Sequence, residues 1–297
     1  MATSAYRGRF APSPTGPLHF GSLVAALASC VDARAQAGEW LVRIDDLDQG
    51  RCISGMDSRI LATLEAFGFE WDGTVSYQTD HLDAYHEALD LLQQSGHVYY
   101  CRCSRSQVAQ AAQRSGLEGP VYPGTCRSLS LCDAPGRAAR LRTGNAGIAF
   151  VDRLFGPQAQ VLARDIGDFV IRRADGFFAY QLAVVIDDEL TGVNQVVRGA
   201  DLLPSTPRQV WLSRLLGHPT PDYLHVPLVF GSDGRKLSKS DRAHPVDADD
   251  PIPALLAAWR FLGQAQPQAA KLSLSEFWHW APTAWEPALM RTEPAHD

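Results

Sequence analysis

Strand and helix patterns alternate through the first hundred residues, and this alternation constrains the fold more than any other feature of the chain. The predicted strands are short apolar runs at residues 6–11, 39–44 and 98–101. The predicted helices carry apolar side chains at helical spacing and cover residues 22–37, 55–67 and 82–94. Strands that alternate with helices form mostly parallel sheets, whose ligands lie beyond the carboxyl ends of the strands. We therefore expect an α/β fold with a ligand site at that edge.

The pattern changes at residue 101. Residues 101–147 are rich in Arg, Ser, Gly, Pro and Cys and show little periodicity, which predicts a small inserted subdomain. Beyond it we predict strands at 168–173, 177–188, 193–197 and 225–230, and helices at 206–216, 253–262 and 274–280. The expected division is a first catalytic half at 1–100, the insertion at 101–147, a second catalytic half at 148–240 and a short helical segment at 241–297.

The composition is that of a globular enzyme with an acidic balance. Of the 297 residues, 45% are apolar and 20% are charged, and the net charge is -6. A protein that binds nucleic acid by neutralising many phosphates is normally basic overall, so a general coat protein is disfavoured. A shaped RNA held by a local arginine surface stays compatible with the sequence, because arginines concentrate between Arg102 and Arg142.

The start of the chain and its cysteines indicate a cytoplasmic protein. No apolar run approaches about 18 residues, and the start lacks the apolar core of a signal peptide, so we expect no membrane partner. Six cysteines in a chain of this length do not indicate a disulfide scaffold. A cluster of reduced cysteines then indicates metal binding or packing. We also expect a monomer.

Two of the three lysines, Lys236 and Lys239, lie in one pentapeptide, Lys-Leu-Ser-Lys-Ser. The ten residues 231–240 add two glycines and several hydroxyl groups to these ammonium charges. Glycine-hinged lysines suit a triphosphate whose charge is neutralised while it reacts. We therefore predict a triphosphate site that contains both lysines, and together with the segment at 11–22 they predict a site that forms an adenylate.

A second candidate segment, residues 11–22, contains three prolines and two glycines around His19. His19 lies just before a predicted helix, where free amide N–H groups and the helix dipole favour phosphate. Its imidazole can donate a hydrogen bond to a phosphoryl oxygen that gains charge. A single histidine beside a proline-rich turn is more often an ordinary surface residue, so the functional interpretation depends on the lysine segment.

The two segments together resemble the nucleotide-binding signatures of the class I aminoacyl-tRNA synthetases, a His-x-Gly-His-like turn and a Lys-Met-Ser-Lys-Ser-like loop. The first signature here is His19-Phe20-Gly21-Ser22, with Ser22 in place of the final histidine. The chain is similar to the glutamyl and glutaminyl branch in Arg-Phe-Ala-Pro-Ser-Pro-Thr-Gly at 9–16, Arg-Ile-Asp-Asp at 43–46, Tyr180, and Val-Arg-Gly-Ala-Asp at 197–201. The resemblance runs from about residue 6 to residue 240.

The resemblance implies a site that recognises an acidic amino acid, because guanidinium groups bind carboxylates through paired hydrogen bonds. The implied contacts of L-glutamate are Arg9, Ala11, Ser13, Asp45, Tyr180 and Arg198. The implied contacts of ATP, which acts with Mg²⁺, are His19, Gly21, Ser22 and Lys239. The implied catalytic residues are His19, Lys236 and Lys239.

Position 45 departs from the pattern of this branch, which has the longer Glu where this chain has Asp45. The resemblance implies that this carboxylate meets the ammonium group of the amino acid. One methylene fewer withdraws the carboxylate by about 1.5 Å. The contact then requires a shifted backbone or a bridging water.

The cysteines form a second constellation. Cys101 and Cys103 place two thiols within reach of one ion, and Cys126 follows later, although buried free thiols are the alternative. Glutamyl-tRNA synthetases that bind zinc tend to end this pattern with Cys-x-His, whereas Ser128 occupies the last position here. The pattern is instead similar to a shortened branch, the glutamyl-queuosine tRNA(Asp) synthetases. That likeness implies one structural Zn²⁺ on Cys101, Cys103, Tyr122 and Cys126, with Cys132 and His97 as competing fourth ligands.

The chain length beyond the lysine segment favours the same branch. Only the 57 residues from Asp241 to Asp297 follow, whereas a conventional glutamyl-tRNA synthetase carries a much longer helical anticodon-binding region there. The shortened branch implies two steps: glutamate and ATP give glutamyl-adenylate, and a hydroxyl of queuosine at the wobble position of tRNA(Asp) then attacks the anhydride.

Three alternatives stay open at this point. A truncated conventional glutamyl-tRNA synthetase would charge the 3′ end of tRNA(Glu). A small-molecule adenylate-forming ligase would share the nucleotide loops but lack Arg9, Tyr180 and Arg198 in this arrangement. A non-catalytic RNA-binding paralogue would show no ATP–pyrophosphate exchange with glutamate.

Overall fold

The fold is seen in a computed structural model, which describes residues 5–117, 119–145, 147–229, 245–268 and 271–292. The strands in these ranges are β1 Arg7–Phe10, β2 Glu39–Ile44, β3 Ser76–Tyr77, β4 Val98–Cys101, β5 Ser115–Gly116, β6 Gly119–Pro120, β7 Ala138–Leu141, β8 Gly147–Asp152, β9 Gly156–Val161, β10 Phe169–Arg172, β11 Gln195–Gly199 and β12 Asp222–Val226. The helices are α1 Phe20–Ala35, α2 Met56–Ala66, α3 Leu82–Gln94, α4 Arg105–Ala111, α5 Leu162–Asp165, α6 Tyr180–Leu190, α7 Thr206–Leu216, α8 Pro251–Phe261 and α9 Leu274–Trp280.

Parallel pairing dominates the catalytic part of the molecule. β1, β2 and β3 form one parallel sheet, with Arg7 paired to Glu39 at its start. β11, β12 and β8 form a second parallel set, and β9 adds an antiparallel strand to β8. The backbone N–H of Asn194 donates to the carbonyl of Arg7 at 3.0 Å, which brings the start of β11 beside β1. The carboxyl ends of β1, β2, β11 and β12 line one pocket.

Helix α1 lies at the centre of the larger core because it is buried along most of its length. Strands β1 and β11 pack on it, and so does α8 from the far end of the chain. The indole N–H of Trp285 donates to Asp32 of α1 at 2.8 Å, and Trp259 packs against Phe277 and Trp280. The C-terminal helices are therefore part of the core around α1.

A smaller antiparallel sheet is formed by β4, β7 and β10. β7 pairs with β4 on one side and with β10 on the other. Beside it, Tyr99, Cys101, Tyr122 and Cys126 form a separate small buried cluster. Within the described ranges no helix is long and apolar enough to cross a membrane.

Most element predictions for the catalytic part are confirmed. The bounds of β2, β4, α3, α7 and α9 agree with the prediction at both ends, and those of β1, α1, α2 and α8 agree within about two residues. The strand predicted at 177–188 is wrong, because Tyr180–Leu190 is a helix. That helix is buried on every side from Leu182 to Asp188, so its apolar run has no polar face that would reveal helical spacing.

One further prediction needs correction, and several strands were missed. The strand expected at 225–230 is β12, which begins at Asp222 and ends at Val226, and residue 230 lies outside the described residues. β7, β8 and β9 were not expected from the sequence. β9 alternates intermediate and exposed positions and has no buried residue, so its composition resembles that of a loop.

Candidate active site

A cavity of about 450 Å³ opens at the carboxyl ends of the parallel strands. It lies where β1 and β11 meet, the position at which open α/β sheets bind their ligands. All nine predicted substrate contacts with described coordinates line it: Arg9, Ala11, Ser13, His19, Gly21, Ser22, Asp45, Tyr180 and Arg198. Residues as far apart as 9 and 198 in the sequence therefore share one concave site.

His19 forms the N-terminal cap of α1. Its backbone is extended, and its Nδ1 accepts a hydrogen bond from the backbone N–H of Ser22 at 3.3 Å. The hydroxyl of Ser22 lies 3.1 Å from Nε2 of the same imidazole. A Cβ at Gly21 would lie 3.3 Å from the His19 ring, so a glycine lets the ring lie close over the backbone. The imidazole thus stands at a helix N-terminus, where anions are favoured.

Lys236 and Lys239 lie outside the described residues. The described residues that flank their segment are both at the site. Val229 lines the cavity, and Pro245 forms an isolated β-bridge with His19. The backbone N–H of Val246 also donates to the carbonyl of Leu18 at 3.0 Å.

Arg9 and Arg43 meet at one buried carboxylate. Asp188 Oδ1 accepts from Arg9 Nε at 3.0 Å and from Arg43 Nη1 at 2.7 Å. Burial opposes the charge of Asp188, but the two guanidinium groups outweigh it and lower the pKa of this carboxyl below its usual range. Asp188 therefore stays ionised and holds Arg9 and Arg43, both of which line the cavity.

Asp45 is held by hydrogen bonds to neighbouring residues of the protein. Its Oδ1 accepts from Arg43 Nε at 2.7 Å, and its backbone N–H donates to Pro12. Burial raises the pKa of Asp45, and Arg43 counteracts part of the rise. The buried Nη2 of Arg43 has no hydrogen-bond partner among the described residues. Arg43 also lines the cavity, so its Nη2 is available to donate to a ligand there.

Arg198 is held from three sides. Its Nε donates to Nε2 of His225 at 3.0 Å, its Nη2 to the hydroxyl of Thr206 at 2.9 Å, and its Nη1 to the hydroxyl of Tyr180 at 3.3 Å. His225 in turn lies 2.7 Å from Asp152 through Nδ1. The guanidinium is therefore fixed in orientation at the wall of the cavity.

The cysteine cluster lies in the small antiparallel part of the fold. The sulfurs of Cys101, Cys103 and Cys126 lie within 4.8 Å of one another, and among the described His, Cys, Asp and Glu side chains they form the group suited to a metal. The Tyr122 hydroxyl lies 3.3 Å from Cys101 Sγ and 3.9 Å from Cys103 Sγ. Cys132 lies outside this group, exposed and next to Arg137, and His97 is not part of it.

The donor set fits zinc in chemistry and spacing. Four ligands at Zn–S bonds of about 2.3 Å lie about 3.8 Å apart in a tetrahedron. The Cys103 and Cys126 sulfurs are 3.5 Å apart. Burial raises the pKa of the Cys101 thiol, but hydrogen bonds from Tyr122 and from the Cys103 backbone outweigh it, and the pKa falls to about 7. Cys101 therefore ionises near neutral pH, the form that binds metal. Burial and the neighbouring thiols raise the pKa of Cys103 to about 11, so a bound metal ion would have to displace the proton of that thiol.

Sequence reasoning missed three residues in and around the site: Arg43 was named only as a member of its motif, and Asp188 and His225 had no predicted role. Two signals were present. Asp188 follows Asp187 directly after a run of apolar residues, and His225 interrupts the apolar residues of β12 near its carboxyl end. An ionisable residue inside a buried apolar element needs a partner, and here the partners belong to the site.

Comparison with known proteins assigns the class. A family model described as "tRNA synthetases class I (E and Q), catalytic domain" matches residues 5–272. The fold is similar to that of a crystal structure of a glutamate tRNA ligase from Elizabethkingia meningosepticum CCUG26117 in complex with its amino acid. The TM-score is 0.79 at 24% identity, over 98% of this chain and 67% of that chain. Fold and site thus define a class I tRNA synthetase catalytic domain of mixed α/β type with a parallel sheet.

Similarity over nearly the full length is found to proteins named glutamyl-Q tRNA(Asp) synthetase. That of Dechloromonas aromatica (strain RCB) is 54% identical over 284 residues, which cover 95% of this chain and 94% of the relative. That of Thiobacillus denitrificans (strain ATCC 25259 / T1) is 49% identical over 295 residues, which cover 99% and 98%. The chain belongs to the glutamyl-Q tRNA(Asp) synthetase family.

Proposed function

We propose that this chain activates L-glutamate with ATP and transfers the glutamyl group to queuosine in tRNA(Asp). The observation that carries the proposal is the single cavity in which Arg9 and Arg198 lie together with His19 at the N-terminus of α1. This arrangement supports an acidic amino acid beside a nucleotide phosphate. The acceptor follows from the relatives, whose names specify tRNA(Asp) and which match this chain over almost their whole length.

Recognition of glutamate is proposed to depend on its two carboxylates. Arg9 and Arg198 are each oriented by a protein partner through Nε. Each terminal nitrogen of Arg198 also donates one hydrogen bond to the protein, which leaves one N–H on each for the ligand. Paired hydrogen bonds from guanidinium to carboxylate are short and directional. Glutamine has one carboxylate fewer and would leave one buried guanidinium without its anion, which disfavours it strongly. Oδ2 of Asp45 is proposed to meet the ammonium group, directly or through a water.

The first step is proposed to be attack of the glutamate α-carboxylate on the α-phosphorus of ATP. A bond forms between a carboxylate oxygen and phosphorus, and the bond to the bridging oxygen of pyrophosphate breaks. His19 is placed to donate a hydrogen bond to a phosphoryl oxygen as charge develops there, and Lys236 and Lys239 are proposed to neutralise the triphosphate. Mg²⁺, when bound, would supply further neutralisation of phosphate charge.

The second step needs no side-chain nucleophile, because the mixed anhydride is already activated. A hydroxyl of the queuosine cyclopentene ring attacks the glutamyl carbonyl and an ester forms. AMP leaves with the electron pair of the broken anhydride bond, and the hydroxyl proton passes to the leaving phosphate. The task of the protein is then to hold the anhydride and the hydroxyl in line, and such positioning can supply a large part of the rate.

The cluster of Cys101, Cys103, Tyr122 and Cys126 is proposed to hold one structural Zn²⁺ that fixes the small antiparallel sheet.

The deciding experiment uses labelled glutamate, ATP and two preparations of tRNA(Asp), with and without queuosine. Label should appear only in the preparation with queuosine, and nuclease digestion should locate it in the anticodon fragment. Label at the 3′ end, or equal labelling of both preparations, would overturn the proposed acceptor. Label on tRNA(Glu) would favour a conventional glutamyl-tRNA synthetase.

Activation is tested separately by ATP–pyrophosphate exchange with glutamate, glutamine and aspartate. Exchange with glutamate is expected to exceed exchange with glutamine by a large factor, and Arg9→Gln should abolish the preference. Arg59→Gln, at an exposed arginine on α2, is the matched control and should leave exchange unchanged. Absence of glutamate-dependent exchange in the wild-type chain would support a non-catalytic paralogue.

A further inference from the structure

Arg198 has more hydrogen-bond donors than its protein partners take up. A guanidinium has five N–H groups. Three of them are directed at His225, Thr206 and Tyr180, one from each nitrogen. Among the described residues no partner takes the other two, which belong to the two terminal nitrogens, and Arg198 lines the cavity. Two parallel donors on adjacent nitrogens match the two oxygens of one carboxylate.

His225 holds the Nε side of this guanidinium and must be in one tautomer to do so. Arg198 Nε always carries a proton, so Nε2 of His225 must be the acceptor. A neutral imidazole then carries its proton on Nδ1, and this nitrogen lies 2.7 Å from Oδ2 of Asp152. Protonation of Nε2 would remove the acceptor and would place a positive imidazolium against the positive guanidinium of Arg198.

Asp152 is itself fixed by the turn that joins β8 to β9. Its Oδ1 accepts from the backbone N–H groups of Leu154 and Phe155, and its Oδ2 accepts from the backbone N–H of His225 at 3.1 Å. The chain of contacts therefore runs from a backbone turn through Asp152 and His225 to Arg198. His225 is fully buried and Arg198 is 6% exposed, so solvent cannot substitute for these partners.

Two other roles for His225 fit the structure less well. His225 does not line the cavity, and protein partners occupy both of its nitrogens, so it is not placed to transfer a proton to a substrate. Its ring stacks on Tyr223 with centroids 6.0 Å apart, but packing alone does not require an acceptor directed at a guanidinium.

We infer that Asp152 and His225 are positioning residues for the amino-acid substrate: Asp152 fixes the tautomer of His225, and Nε2 of His225 orients Arg198 so that its two remaining N–H groups face the cavity and bind one carboxylate. This inference rests on the proposed function, because the ligand is taken to be glutamate. It deepens that function by assigning carboxylate recognition to a buried chain of residues that never touches the ligand.

Kinetic tests separate this role from a general structural one. His225→Leu removes the acceptor, whereas His225→Gln keeps a carbonyl oxygen at a similar distance from the backbone. In ATP–pyrophosphate exchange, His225→Leu should raise the glutamate KM by about 10- to 100-fold, the loss expected for a hydrogen bond to a charged group. The ATP KM should stay within about twofold, because the lost hydrogen bond orients a residue assigned to the carboxylate of glutamate. A tenfold rise in the ATP KM would correspond to about 1.4 kcal/mol of lost ATP binding. His225→Gln should recover most of the glutamate affinity.

Asp152→Asn and a control complete the series. Asp152→Asn should raise the glutamate KM in the same direction as His225→Leu, because the tautomer is no longer imposed. His279→Gln, at an exposed histidine on α9, should change neither KM. Thermal unfolding of each variant identifies any chain that is not folded.

A tautomer measurement on the wild-type chain does not depend on any variant's activity. In ¹⁵N-histidine-labelled protein near pH 7, with the signals assigned by their loss in His225→Gln, His225 should show a protonated Nδ1 and a bare Nε2. A protonated Nε2, or an unchanged glutamate KM in folded His225→Leu, would overturn the inference alone. A wild-type chain without glutamate-dependent exchange would instead overturn the proposed function and the inference with it.

Discussion

Single residues away from the ligand decide how the arginines of the site are presented. Asp188 receives hydrogen bonds from both Arg9 and Arg43 on the same oxygen, and Asp152 acts on Arg198 through His225. In each case a buried carboxylate holds an arginine that lines the cavity, directly at Asp188 and through His225 at Asp152. Fixed donors bind a carboxylate with less loss of side-chain entropy than flexible donors do.

The first prediction concerns Asp188. Asp188→Asn keeps the shape but removes the charge that holds two guanidinium groups, so Arg9 and Arg43 should repel each other and move. The glutamate KM should rise by about 10- to 100-fold, the range for lost hydrogen bonds to charged groups. The ATP KM should change little. Asp83→Asn, at an exposed position on α3, is the control, and equal effects of the two variants would contradict this role for Asp188.

The second prediction concerns the pH dependence of stability at His225. Burial lowers the pKa of His225 below its ordinary value of about 6.5, the Asp152 hydrogen bond opposes the shift, and Arg198 adds to it. Between the lowered pKa and pH 6.5 the unfolded chain binds more protons at this residue than the folded chain does. Stability from this group therefore falls as the pH decreases through that window, and it is constant above about pH 6.5.

His225→Gln lacks this titration and serves as the reference. In urea unfolding at pH 7, 6 and 5, the free energy of unfolding of the wild type should decrease relative to that of His225→Gln as the pH falls. The limiting slope is about 1.4 kcal/mol per pH unit for one proton. The other histidines are common to both chains and cancel. Parallel pH profiles for the two chains would show that His225 keeps an ordinary pKa.

Elements differ in how far the sequence determines them. Helix α3 was predicted to the residue because its buried apolar side chains lie on one face. Helix α7 is buried on most sides, and its end was predictable because Gly217 follows it in the left-handed conformation. Helix α6 was mistaken for a strand because packing on all sides removes the polar face on which periodicity depends. Its helical state is fixed by tertiary packing, which a local pattern does not contain.

The third prediction concerns the C-terminal helices. Leu255 on α8 is fully buried in the core that α8 shares with α1, so Leu255→Ala should leave a cavity and lower the free energy of unfolding by about 2–5 kcal/mol. Leu289→Ala, at a side chain 42% exposed, should cost well under that amount. Urea unfolding at constant pH measures both. A loss at Leu255 no larger than that at Leu289 would show that α8 contributes little to the core.

The fourth prediction concerns the cysteine cluster. Cys103→Ser removes one of three clustered sulfurs and should reduce the zinc content, measured by atomic absorption after dialysis, well below one ion per chain. Cys132→Ser is the matched control, because Cys132 is exposed and outside the cluster, and it should keep the wild-type content. Tyr122→Phe should keep the fold but lose zinc to a chelator sooner than the wild type does. Equal zinc in Cys103→Ser and Cys132→Ser would exclude the proposed ligand set.

At the scale of the whole molecule, the members of the site were predictable and their connections were not. Arg9, Tyr180 and Arg198 stand in short strings whose resemblance to a family can be recognised one string at a time. The contact of Arg9 with Asp188 joins residues 179 positions apart, and that of Arg43 with Asp188 joins residues 145 apart. No local pattern records such a pairing, because it exists only once the sheet has brought β1, β2 and α6 together.

The whole-molecule charge leads to the last prediction. The chain has a net charge of -6, so a tRNA partner is repelled on average and must be held by a local surface. Arg102 and Arg105 are exposed beside the cysteine cluster and form part of the arginine-rich region of the sequence. We expect the double variant Arg102→Gln/Arg105→Gln to bind tRNA(Asp) more weakly, with the slope of log Kd against log salt reduced by about one for each lost phosphate contact.

Three measurements keep this prediction specific. Glutamate-dependent ATP–pyrophosphate exchange should be unchanged in the double variant, because neither arginine lines the cavity. Zinc content should also be unchanged, which excludes collapse of the neighbouring cluster as the cause. Arg59→Gln should bind tRNA with the wild-type salt slope. If the double variant keeps that slope as well, Arg102 and Arg105 do not contact phosphate, and the surface that overcomes the negative net charge lies elsewhere on the molecule.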